Sequence, residues 1–198
     1  MNQIKIRAIL LFGAPGSGKG TQGKILGSIP NFYHFSCGEV FRNLTPDAEL
    51  GQIFLDYSSR GQLVPDEPTI RLWQHHIQSA EHSGRFNRKT DTLVLDGIPR
   101  NIQQAQMLKG LMNVHHVFYL CCADMKKLVS RLQRRALREN RLDDANIKVI
   151  RQRLHTYEQD TSPVLDFYGP KLVRTIDSTQ KPINVLRGIL GVLAKSSA

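Results

Sequence analysis

The sequence predicts an α/β protein: a parallel sheet with helices on both faces, in three α/β/α layers. Two observations carry this. Short apolar runs recur along the chain, and segments with helical spacing fill the gaps between them. The first run, KIRAILLF (5–12), opens directly into a glycine-rich turn, GAPGSGKGTQ (13–22). Strands that alternate with helices return parallel, through right-handed crossovers.

The elements follow in order. KIRAILLF is short, apolar and ended by Gly13, as a buried strand should be. TQGKILGSI (21–29) reads as a helix with Ile25, Leu26 and Ile29 on one side. FYHF (32–35), TLVLD (92–96), HHVFYLC (115–121) and KLVRTID (171–177) supply four more strands, five in all. Helical patterns cover 69–79, 102–111, 125–138, 145–156 and 183–194. Ser36 followed by Glu39 is a capping box, so a further helix starts there. Ligands of such sheets bind at the carboxyl ends of the strands. Three chemically loaded turns fall at those ends, after Phe12, Phe35 and Leu95.

At 198 residues the chain suits a single domain with a sizeable core. Hydrophobic residues at 40% and charged residues at 22% are ordinary for a soluble protein. The apolar run at 8–12 is too short for a membrane span and ends in Gly-Ala-Pro-Gly, so a cytoplasmic protein is expected. Cys37, Cys121 and Cys122 are odd in number and form no C-x₂-C pair. This argues against a disulfide framework and a zinc site, and Cys121 and Cys122 are expected as buried small hydrophobes. The net charge is +10, and it is concentrated: ten Lys and Arg face three acids between Met125 and Arg153. That segment is expected to meet an anion. An RNA-binding module is one alternative, disfavoured because aromatics are not interleaved with these arginines.

GAPGSGKGTQ nearly matches the phosphate-binding pattern G-x-x-x-x-G-K-[ST]. Gly13, Gly18 and Lys19 are in place, but Gly20 stands where a hydroxyl is usual and Thr21 comes one residue late. Backbone N–H groups of this P-loop can surround a phosphate at a helix N-terminus, while Lys19 carries charge to the β/γ-phosphates. The fold expected is therefore P-loop NTPase-like. Asp96 ends an apolar strand and fits the acidic position that serves Mg²⁺. Gly97 and Pro99 then make a tight turn that aims Arg100, and Arg42 lies about two turns into the helix after Ser36. Arg131 and Arg135 share a helix face, and Arg153 lies on the next helix with Tyr157 four residues on. Arginine suits phosphate because it is always charged and binds in a bidentate manner.

These stretches together resemble the nucleoside monophosphate kinases, and among them the adenylate kinases, over nearly the whole chain. HFSCGEVFR (34–42) is similar to the family's H-x-S-T-G-D-x-x-R, GQLVPDE (61–67) to G-x-L-V-P-D, and DGIPRNIQQA (96–105) to D-G-F-P-R-T-x-x-Q-A. RLDD, RLHTY and TSPVLDFY match its later motifs. The resemblance implies the reaction ATP + AMP ⇌ 2 ADP with Mg²⁺, in a monomer that binds neither nucleic acid nor membrane. By position, Gly13, Ala14, Pro15, Gly16, Ser17, Gly18, Lys19, Gly20 and Thr21 would hold the ATP phosphates. Arg131 would lie along the ATP adenine, with Arg135 nearby. Arg42 and Arg100 would grip the AMP phosphate, and Cys37, Leu63, Val64, Gly97 and Gln104 would contact AMP. Lys19, Arg100, Arg135, Arg141 and Arg153 would be catalytic, the last two also reaching AMP. Without a hydroxyl at position 20, Mg²⁺ would be held by phosphate oxygens and water, with Asp96 acting through that water. Within the single domain (1–198), residues 36–67 would form the monophosphate-binding insert and 134–144 a short lid.

The chain also departs from the pattern. Cys37 replaces a Thr, and Asn101 resembles the pyrimidine-specific relatives, so a UMP/CMP kinase is the nearest alternative. Gln104 weighs toward adenine because its amide can pair with that base edge. Glu39 replaces Asp and Ile98 an aromatic. One extra residue between Asp144 and Arg153 leaves Arg151 and Arg153 competing for the phosphates, and the RL-x-x-Y register favours Arg153. A P-loop protein that binds nucleotide without turnover is a further alternative.

Overall fold

A computed structural model describes residues 4–45 and 47–196. The strands are β1 (Ile6–Phe12), β2 (Phe32–Ser36), β3 (Thr92–Asp96), β4 (Met112–Cys121) and β5 (Val173–Asp177). All pairings are parallel, in the order 2-3-1-4-5. Register aligns the carboxyl ends: Leu11 and Ser36 both pair with Asp96, and Cys121 pairs with Asp177. The chain leaves β1 toward β2 on one side, whereas after β3 it crosses back to β4. The crevice between those two departures is the switch point of the sheet.

β1 shows why the sheet is covered on both faces. Ile6, Ala8, Leu10 and Phe12 point into one core with Phe35, Leu93, Leu95 and Leu108. Ile9 and Leu11 point into the other with Leu26, Val185 and Ile189. The second core is closed by α1 (Lys19–Leu26) and α9 (Pro182–Ser196), the first by α4 (Asp66–His82) and α5 (Ile102–Lys109) among others. A third cluster joins Leu128 and Leu132 of α6 (Met125–Glu139) to Ile150 and Leu154 of α7 (Ile147–Thr156), and Ala14 of the P-loop packs on it.

Several expectations need correction. The helix after Ser36 exists as α2 (Cys37–Arg42), but Ser36 makes no side-chain capping bond. Glu39 turns instead to Lys24 at 2.8 Å and Arg141 at 3.8 Å, because two cations outcompete a backbone N–H. Ile25 is exposed, and only Leu26 of the expected apolar side of α1 is buried. Cys121 and Cys122 are half-buried rather than buried, since they fall where β4 ends at Cys121 and the chain leaves the sheet. β4 begins three residues earlier than expected, where Met112 pairs with Ile6. Helix α3 (Glu49–Ser59), a π-helical turn at Tyr157–Thr161 and helix α8 (Val164–Tyr168) have no counterpart in the sequence reading. Within residues 134–144, α6 runs to Glu139, Asn140 closes it with a left-handed backbone at φ 48°, and a 3₁₀ turn spans Leu142–Asp144.

Candidate active site

The switch point opens into a cleft of about 700 Å³. Its floor is the P-loop. Gly13 is required there because a Cβ would lie 2.5 Å from Ser17 Oγ and 2.6 Å from the Leu120 carbonyl. Gly18, the N-cap of α1, has a φ of 97°, a left-handed conformation that glycine adopts without strain. The first-turn N–H groups of α1 are left without a side-chain cap and add their field to the cleft. Lys19 curls over the loop, donating to the Gly13 carbonyl at 2.6 Å and the Ala14 carbonyl at 3.1 Å. Burial pushes its ammonium down to about 8, assisted by Arg100, Arg135 and Arg153 and opposed by Asp96.

Every expected site residue except one lines this cleft: Gly13, Pro15, Gly16, Ser17, Gly18, Lys19, Gly20 and Thr21, then Cys37, Arg42, Leu63, Val64, Asp96, Gly97, Arg100, Gln104, Arg131, Arg135, Arg141 and Arg153. The exception is Ala14, whose methyl packs on the α6–α7 cluster and whose carbonyl holds Lys19. Arg151 is exposed and outside the lining, so Arg153 is the one that faces in.

Asp96 is nearly buried at the end of β3, and a Cβ added to Gly20 would lie 3.5 Å from its Oδ2. A Ser or Thr at 20 would therefore stand directly before this carboxylate, and glycine leaves that space to water. Among the described residues no group of three or more His, Cys, Asp and Glu could hold a metal ion. One hard carboxylate beside water-sized space fits Mg²⁺ held through its own water shell, since that ion gives up water reluctantly.

Arginines converge from separate elements, and acids of the 3₁₀ turn at Leu142–Asp144 pair with them. Asp144 is fully buried. It accepts from Arg135 Nε at 2.7 Å and is also bonded by Arg153. Asp143 accepts from Arg153 at 2.7 Å and lies 3.7 Å from Arg42 on α2. Arg42 is pushed down to about 10 by burial and then by Arg141, with Asp143 opposing. Arg153 is lowered by burial, against Asp143 and Asp144. Such crowding of positive charge favours a polyanion.

On the opposite wall Arg100 emerges from the turn at Gly97, where its Nε donates to the Gly97 carbonyl at 2.8 Å. Thr161 of the π-helical turn donates to the Arg100 carbonyl at 2.7 Å. Cys37 is buried beside this turn, and burial pushes its thiol up to about 11. Gln104 is 1% exposed, and its amide is already half used. Oε1 accepts from the Arg100 N–H at 2.8 Å, and Nε2 donates to Asp66 Oδ1 at 2.8 Å. Arg131 spans the remaining wall, donating to the Gly16 carbonyl at 3.4 Å and the Ser178 carbonyl at 2.9 Å. Sequence reasoning missed Asp66, the 178–182 loop that Arg131 braces, and the pairing of Asp143 and Asp144. The run RLDD was the one visible signal of the last.

A family model described as adenylate kinase matches residues 11–173. The adenylate kinase of Cyanothece sp. is 38% identical over 187 residues, covering 89% of this chain and 90% of the relative. That of Thermobifida fusca is 36% identical over 176 residues, covering 86% and 89%. That of Parabacteroides distasonis is 34% identical over 165 residues, covering 81% and 83%. With a family match across most of its length, and the motifs of that match gathered in one cleft, the chain belongs to the adenylate kinase family.

Proposed function

We propose that this protein transfers a phosphoryl group reversibly from Mg-ATP to AMP, giving two ADP. The observation that carries the reading is the meeting, in one cleft, of Lys19 on the P-loop, Asp96 and arginines from two opposing walls. Phosphoryl transfer needs positioning and charge stabilisation rather than covalent help. The P-loop, Gly13 to Thr21, holds the donor phosphates, and Arg131 lies against the donor base. Arg42 and Arg100 hold the acceptor phosphate. Cys37, Leu63, Val64, Gly97 and Gln104 surround the acceptor base. Lys19, Arg135, Arg141 and Arg153 neutralise charge on the transferring group, which passes in line between two oxygens. Asp96 would hold Mg²⁺ through water, and the ion would supply further charge neutralisation when bound with the donor. Residues 36–67 and 134–144 close as flaps that exclude water, so that the acceptor rather than water is phosphorylated. The same reading makes the protein a cytoplasmic monomer that uses neither nucleic acid nor membrane. Among the described residues no helix is long and apolar enough to cross a membrane.

A coupled assay for ADP with Mg-ATP and AMP tests the reaction. AMP-dependent turnover is expected, and its absence in folded protein would sink the proposal. The relatives' names favour AMP over UMP and CMP, so in a panel of acceptors AMP should give the highest kcat/KM.

The depressed ammonium of Lys19 gives a second test. In the free protein it loses its proton as pH rises through about 8, well below its ordinary 10.5. A polyphosphate beside it favours the charged form and raises its pKa. Binding of Mg-ATP near pH 9 should therefore take up close to one proton. Calorimetry in two buffers of different ionisation enthalpy measures that uptake. The Lys19→Met protein should show none, and equal uptake by both proteins would remove Lys19 from the donor site.

A further inference from the structure

Gln104 is held between two neighbours of opposite demand. The Arg100 N–H can only donate, and it meets Oε1 at 2.8 Å. The Asp66 carboxylate, when ionised, can only accept, and it meets Nε2 at 2.8 Å. Rotating the amide by half a turn would put NH₂ against N–H and oxygen against carboxylate, so both contacts would turn repulsive. Asp66 is itself held: its Oδ1 also accepts from Asn101 Nδ2 at 2.7 Å, while Asn101 Oδ1 accepts from the Gln104 N–H at 2.8 Å and caps α5. Asp66 does not line the cleft, whereas Gln104 does.

A primary amide has two N–H donors and two oxygen lone pairs. One of each is used by these neighbours, so one donor and one acceptor remain, in a fixed order. That order distinguishes purines. The edge of a 6-aminopurine offers a ring-nitrogen acceptor next to an amine donor. A 6-oxopurine offers a protonated ring nitrogen next to a carbonyl, the reverse sequence. An amide that could turn over would serve both, whereas a locked amide serves one. We infer that Asp66 is a positioning residue that locks the Gln104 amide and thereby sets acceptance of 6-amino over 6-oxo purine monophosphates. The inference rests on the reading above, in which Gln104 meets the acceptor base.

The test compares kcat/KM for AMP with that for IMP in wild type, Asp66→Asn and Gln104→Ala. Asparagine is isosteric with aspartate but accepts the amide in either orientation. Asp66→Asn should lower the AMP-to-IMP ratio by about tenfold or more, the size expected for a lost hydrogen bond to a charged group. The KM for ATP should not move. Asp66→Ala, which withdraws the carboxylate altogether, should shift the ratio in the same direction and keeps the test open if the first variant folds poorly. Loosened packing alone would weaken both acceptors alike and leave the ratio unchanged. If Gln104→Ala lowers kcat/KM for AMP while both Asp66 variants keep the wild-type ratio, the lock is refuted and the base contact stands. If Gln104→Ala leaves AMP untouched, the base contact itself fails and the lock falls with it.

Discussion

Replacing Lys19 with methionine is expected to lower kcat by about 10²–10³-fold, the cost of removing one preorganised charge donor from a transferring group. The fold should survive. Methionine keeps most of the apolar stem, and the ammonium is already penalised by burial and by three arginines. What the loop loses is the pair of bonds from Nζ to the Gly13 and Ala14 carbonyls, at 2.6 and 3.1 Å. Near-normal kcat in the variant, measured by the ADP-coupled assay on protein of native circular dichroism, would refute the role given to this residue.

Arg153→Met should be as damaging to catalysis and more damaging to stability. An arginine that stabilises a transferring phosphoryl group is worth about 10³-fold or more in kcat. Arg153 also bonds both Asp143 and fully buried Asp144. Its removal leaves Asp144 with Arg135 as its remaining guanidinium partner. Breaking a buried ion pair from one side costs about 3 kcal/mol. Urea denaturation and kcat should therefore fall together. Arg151→Met is the control, because Arg151 is exposed and outside the cleft, and should change neither. Loss of activity in Arg151→Met with wild-type behaviour in Arg153→Met would reverse the register of α7.

Much of this site was legible in the sequence because its groups stand next to the backbone features that place them. The P-loop follows β1 directly, Asp96 ends β3, and Arg100 comes three residues after a glycine with a φ of 80°. In each case a short local pattern determines where the side chain begins. What was not legible depends on partners distant in sequence. Helix α3 forms where Phe54 stacks on Phe41, with ring centroids 5.2 Å apart. The π-helical turn brings Thr161 to a carbonyl 61 residues earlier. Gln104 was expected to pair with the base edge, and the structure shows half its amide engaged by the Arg100 N–H and by Asp66, 38 residues away. Asp143 and Asp144 were expected only as acids counted against a basic segment. Their role emerges once α6 and α7 pack together through Leu128, Leu132, Ile150 and Leu154.

The 2-3-1-4-5 order has a consequence for how the chain is made. β1 is the central strand, yet it leaves the ribosome before either of its neighbours. Its partners are residues 93–96 on one side and 112–119 on the other. Until about 96 residues have emerged neither hydrogen-bonding edge has its native partner, and the second edge waits until about 120, a state open to aggregation. The P-loop emerges just as early but has no sheet to stand on. A ligand of the cleft can stabilise the chain only once the sheet beneath the P-loop has formed, because a ligand stabilises only the state that binds it. In the reading proposed above, the donor site begins first in the sequence and is thus among the last parts of the nascent protein to gain from its own ligand.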